Sequence, residues 1–240
     1  MPAEAPAGFA MVIQTVIALY LLVGESLYGR RAYERLLAAL DRDPAARVRF
    51  YRKIVALEWG LVLLVFVTLW MAGEPAARIG LVPVRPDPMA LVVLAALAAG
   101  IVTPIVLGAL SPGYREVLWR QLASARGLLP ERGDERWWYA LVSVTAGVCE
   151  EILFRGFLMA YLTALVPGLP AIAALVISAA IFGMAHLYQG WGGVAMTGLV
   201  GAAMGLLYVY TGSLLWSIVA HALLDLRVLA LPRPSPGATA

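Results

Sequence analysis

Three charged side chains interrupt a long apolar stretch: Glu150, Glu151 and Arg155 lie in Cys149-Glu150-Glu151-Ile152-Leu153-Phe154-Arg155-Gly156, inside the run from Trp138 to Val166. A charge at the centre of a bilayer costs at least ~2.5–3.5 kcal/mol on insertion scales, so intramembrane acids are read first as functional. Helical spacing divides their roles. Glu151 and Arg155 stand four apart and can pair, which partly offsets the burial cost of both. Glu150 points about 100° away and is left without that partner. A carboxylate free of a fixed cation is suited to act as a general base. The competing reading is a structural ion network made of all three. The chain has only two histidines, His186 and His221, and both fall at polar positions in apolar segments near its C-terminal end. His221 and Asp225, at i and i+4, share a helical face, and Phe182 lies one turn before His186 and walls the site or simply packs there. Two carboxylates and two imidazoles are the parts needed to activate water.

These residues need apolar helices to carry them. With 62% hydrophobic and 14% charged residues over 240 positions, the chain is far more apolar than soluble domains, at about 45–50% and 25%. It reads as an all-α, polytopic membrane protein of about seven spans, near 8–27, 54–71, 89–110, 138–166, 169–187, 192–210 and 213–231. The catalytic residues sit on the last four. Pro104 is expected to kink the third span. Glu58, close to the start of the second, is within reach of the headgroups and reads as structural. Between the first two spans, Tyr28 to Lys53 is strongly basic. Pro44 divides it into two short amphipathic helices, Arg31 to Leu40 and Ala45 onward, able to lie on an anionic membrane surface or to form a solvated loop. The residues after Pro232 read as a disordered tail. The expected division is 1–128 for N-terminal spans and basic loop, 129–231 for the catalytic core and 232–240 for the tail.

Charge and cysteine content exclude several classes. Basic residues are not interleaved with aromatics, so nucleic acid is not expected as a partner. The single cysteine, Cys149, rules out an intrachain disulfide framework. The loops after spans one and three, with the C-terminal end, hold fifteen of the bases, and the opposite side holds two. The positive-inside rule then places the N-terminus outside and the C-terminus in the cytoplasm.

The sequence resembles the CAAX-protease and bacteriocin-processing (CPBP) intramembrane proteases, relatives of the type II CAAX prenyl endopeptidase. The resemblance covers about Leu129 to Leu226. It rests on Glu150-Glu151-x-x-x-Arg155, Phe182-x-x-x-His186 and His221-x-x-x-Asp225, with Ala146-Gly147, Phe154-Arg155-Gly156, Gly212-Ser213 and Trp216 beside them. It implies an intramembrane endopeptidase in which Glu150 and His186 activate water, Glu151 and Arg155 hold the helix, and His221 and residue 225 stabilise the oxyanion. Relatives carry Asn or Asp at that last position, and an Asp donates a hydrogen bond only when protonated. The cofactor stays open: a metal-free glutamate mechanism is slightly favoured, and the alternative is a divalent metal such as zinc held by His186, His221 and Asp225. The implied substrate is a membrane-bound peptide or a lipidated, CAAX-type protein. A proton-coupled transporter, or a catalytically silent binding or immunity protein using the same buried groups, is the rival reading.

One spacing fits poorly. At ~1.5 Å per residue, Glu150 lies deep in the fourth span, whereas His186 lies near the end of the fifth. The fourth helix is therefore expected to start in the cytoplasm and enter the bilayer obliquely, with Trp137 and Trp138 at the interface.

Overall fold

Apolar windows of the length a bilayer requires become long helices of the computed structural model, which describes residues 4–233. Eight helices and no strand occur among the described residues. We label them α1 (residues 4–40), α2 (Ala46–Ala72), α3 (Pro88–Leu110), α4 (Pro112–Gln121), α5 (residues 133–165), α6 (Ala171–Ala185), α7 (Gly190–Thr211) and α8 (Leu215–Leu226). Four helical stretches are long and apolar enough to cross a membrane: Gly8–Leu40, Ala46–Met71, Pro88–Leu110 and Leu187–Thr211. The other three of the seven expected spans are of a different kind. α5 carries the charged residues of the site, α6 has 15 residues and α8 has 12.

The basic segment differs from expectation. Arg31 to Leu40 is the C-terminal part of α1, continuous with the first apolar run, and Ala46 onward is the start of α2. Only Pro44 and its neighbours break the chain there, where Asp43 accepts a hydrogen bond from the Ala45 N–H at 2.9 Å. No proline lies between Leu27 and Arg31 or between Arg49 and Ile54, and the single glycine there, Gly29, is too weak a breaker to stop a helix. The expected pair of separate surface helices therefore merges into the two spans.

Helix ends follow local chemistry. Asp87 caps α3 by accepting from the Met89 and Ala90 N–H groups at 2.7 and 3.3 Å, with Pro88 at the first helical position. Pro104 stands inside α3. Glu135 accepts from the backbone N–H of Arg132 at 3.1 Å at the start of α5. α7 stops at Gly212, whose φ of 66° few other residues adopt.

The largest apolar cluster joins both ends of the chain. Leu21 of α1 and Val65 of α2 pack with Leu153, Phe154 and Leu158 of α5, Phe182 of α6 and Leu214. The N-terminal helices thus press directly on the segment that carries Glu150 and Arg155. Of the expected disordered tail, Pro232 and Arg233 are ordered, the Pro232 carbonyl accepting from Trp119 Nε1 at 2.8 Å; the remainder lies outside the described residues.

Candidate active site

α5 does not run as a regular α-helix through the charged residues. From Glu151 to Leu158 it widens into a π-helical segment, a local form that occurs most often at functional sites. The Phe154 carbonyl within it accepts a hydrogen bond from the buried Ser178 hydroxyl of α6 at 2.7 Å, a contact without a sequence signature. The Glu151–Arg155 pair survives this change of pitch: Arg155 Nη1 donates to Glu151 Oε1 at 2.9 Å, and both side chains are fully buried.

Glu151 has a second partner that helix spacing could not reveal. His221 Nδ1 lies 2.7 Å from the same Oε1. The oxygen already accepts from Arg155, so the His221 nitrogen is the donor. Glu151 therefore ties α8 to α5. His221 Nε2 then lies 3.6 Å from Glu150 Oε2 and 3.9 Å from Asp225 Oδ2. These separations are charge-pair distances longer than hydrogen bonds. Glu150 Oε2 is buried without any hydrogen-bond partner among the described residues. Glu150 is thus less isolated than the helical wheel implies, with an imidazole beside it, yet one oxygen remains uncommitted.

His186 ends α6. Its Nδ1 is 2.9 Å from the Phe182 carbonyl, which can only accept, so the proton sits on Nδ1 and the Nε2 lone pair is exposed. Phe182 is the packing hub of the site. Its ring lies 4.8 Å from the His186 ring and 5.9 Å from the His221 ring, and the Arg155 guanidinium sits 4.3 Å from its centroid. That cation–π contact meets the face of Arg155 that its carboxylate partner leaves free.

Two glycines make the assembly possible. A Cβ on Gly147 would stand 2.7 Å from the Ala222 backbone nitrogen, next to His221, so the approach of α5 and α8 there requires glycine. A Cβ on Gly201 would stand 2.7 Å from Arg155 Nη2 and 2.8 Å from the Phe182 ring.

Glu150 and His186 line one cavity of about 260 Å³. The depth conflict between them disappears because α6 is short and ends at His186, while Glu150 sits at mid-length in α5. Glu58 also lines this cavity, so it belongs to the site's wall and is not merely a residue near the surface; its Oε2 is buried without a hydrogen-bond partner. Sequence reading missed two further lining groups, Glu25 and Tyr188. Glu25 was visible as an acid in an apolar run, and Tyr188 follows His186 by two residues. Tyr188 Oη accepts from Gln189 Nε2 at 3.0 Å, and its ring is 5.8 Å from that of His186. His221 and Asp225, on α8, are not among the residues that line this cavity.

No group of three or more His, Cys, Asp or Glu side chains among the described residues is gathered closely enough to hold a metal ion. His186 and His221 each commit Nδ1 to a protein acceptor, and His221 Nε2 faces two carboxylates at more than 3.5 Å. The expected set His186, His221 and Asp225 is not gathered into such a group.

Residues 132–227 match the family model described as type II CAAX prenyl endopeptidase Rce1-like. No curated protein and no solved structure matches the chain.

Proposed function

We propose, from the match of residues 132–227 to the Rce1-like family model of type II CAAX prenyl endopeptidases, that Glu150 and His186 activate a water molecule to cleave a membrane-associated, CAAX-type substrate. The observation that carries this reading is the pairing of two proton acceptors on one cavity wall. The Glu150 carboxylate and the His186 Nε2 lone pair, on residues that line the same cavity, can each accept one hydrogen of a water bound there.

The reaction then follows from the donors and acceptors. As the water oxygen bonds to the scissile carbonyl carbon, Glu150 takes its proton, and the carbonyl becomes an oxyanion. Collapse breaks the C–N bond, and the proton held by Glu150 passes to the departing nitrogen. His221, oriented by Glu151, holds Nε2 3.6 Å from Glu150, and Asp225 stands beside it; in their protonated forms these two are the donors for a developing oxyanion when the scissile carbonyl reaches their side of Glu150. Arg155 and Glu151 hold α5 and α8 in register and touch no substrate.

The reading is tested by incubating the purified full-length protein with a synthetic prenylated CAAX-type peptide in ¹⁸O water and identifying the products by mass spectrometry. One ¹⁸O in the new carboxylate, absent with Glu150→Gln, is the expected result. Binding or translocation of the peptide without any new carboxylate would contradict it.

A further inference from the structure

The part of the chain outside the family match builds most of the cavity that leads to Glu150. Tyr28, Ala32 and Leu36 repeat at four-residue spacing along α1, and Phe50, Ile54 and Leu57 repeat at four and three along α2; all six line the cavity. Each helix therefore turns an apolar stripe toward the same space. A stripe of this kind would normally be closed by its neighbour, yet here the two helices leave room between them. At its polar border the cavity is lined by Arg35 of α1 and Lys53 of α2. Both are exposed, and neither has a carboxylate partner among the described residues. Among nearby bases, Arg30 is bonded to Glu34 at 3.0 Å and Arg49, also in the lining, is paired with Asp43, whereas Arg31 and Arg52 have no carboxylate partner among the described residues but do not line the cavity.

A largely apolar groove lined by Glu25, Glu58 and Glu150 in one part and by two cations without ion-pair partners in another receives the anionic end of an amphiphile only at those cations. We propose that α1 and α2 form the substrate groove, and that Arg35 and Lys53 hold the substrate's C-terminal carboxylate while the apolar residues before it lie between the two stripes. A terminal carboxylate fits better than an acidic side chain, because every free peptide end carries one and it leaves the preceding segment wholly apolar. This assignment rests on the endopeptidase reading for its orientation, since the bond presented to Glu150 must lie N-terminal to the held carboxylate.

The test is a binding measurement, so that it does not depend on cleavage. Full-length Glu150→Gln protein in phosphatidylcholine vesicles is titrated with a fluorescent prenylated peptide ending in apolar residues, once as the free acid and once as the C-terminal amide. The acid is expected to bind about tenfold more tightly, as two exposed charge contacts permit, and the preference should vanish in Arg35→Gln/Lys53→Gln. The double variant must melt at the same temperature as its parent, and a variant carrying Lys at 35 and Arg at 53 should restore the preference. Equal affinity for acid and amide overturns the proposal, as does a preference that persists in the double variant. Replacing part of the phosphatidylcholine by phosphatidylglycerol should leave the preference intact; its loss assigns the two cations to lipid headgroups and overturns the proposal too. Acid-selective binding to the groove without cleavage by wild-type protein would refute the endopeptidase reading alone.

Discussion

Glu151 is the residue on which the site's charge balance turns, because one of its oxygens accepts from both Arg155 and His221. Replacing Arg155 by Met leaves that carboxylate with the imidazole alone and removes the cation from the Phe182 ring. Breaking a buried pair in this way costs roughly 3–5 kcal/mol, so thermal unfolding in detergent should shift strongly downward. An unchanged melting temperature would deny Arg155 its holding role. Asp225 separates the two kinds of chemistry. In the metal-free reading, Asn at 225 is a fixed donor and should preserve or raise kcat, while Ala should cost ~2.7–4 kcal/mol of transition-state stabilisation. A chelator should leave the wild-type rate unchanged; a chelator-sensitive enzyme whose zinc is lost along with activity in Asp225→Asn would refute that reading. The Glu151–Arg155 pair was legible from spacing because it is local to one helix. The link from Glu151 to His221 spans seventy residues, and periodicity along one segment holds no information about it.

At the scale of elements, the π-helical segment of α5 and the close approach of α8 set where Glu150 points. Gly147 marks that approach. An added methyl there meets the backbone of Ala222, not a flexible side chain, so the helices must separate. Gly147→Ala should destabilise by about 1–3 kcal/mol, as overpacking does, and should slow cleavage more than it weakens substrate binding, because His221 is displaced from Glu151. The measurement is kcat and KM beside a melting curve; a loss confined to KM would contradict this placement. The long apolar runs made the long helices readable. Two things hid the rest. A π-helical widening depends on neighbours such as Ser178 that satisfy its carbonyls, and α6 and α8 are too short for a window of bilayer length to describe. The merging of the basic segment into α1 and α2 was readable in principle, since only Gly29, and no proline, stands between the first apolar run and Arg31.

At the scale of the whole molecule, the N-terminal helices are bolted to the catalytic part at a polar end. Arg47 of α2 is buried and donates to Glu135 of α5 at 2.7 Å, to Glu131 at 3.2 Å and to the Gly127 carbonyl at 3.0 Å. Burial alone would raise the Glu135 carboxyl, but the Glu131 and Arg132 N–H groups and Arg47 overcome it and hold the group below its ordinary value of 4.5. A depressed folded-state value means that this contribution is complete above pH 4.5 and is lost as the pH falls below it. Glu135→Gln should therefore melt well below wild type at pH 7, with the gap closing as the pH is lowered under the carboxylate range. A gap that stays constant would contradict the latch. The latch and the shared core explain how helices outside the family match can shape a cavity whose chemistry lies inside it. Comparison of wild-type and Glu150→Gln protein, by peptide cleavage rate and melting temperature in the same detergent, tests that chemistry most directly. The account predicts a loss of at least a hundredfold in rate with the melting temperature unchanged, and a variant that still cleaves at the wild-type rate would contradict it.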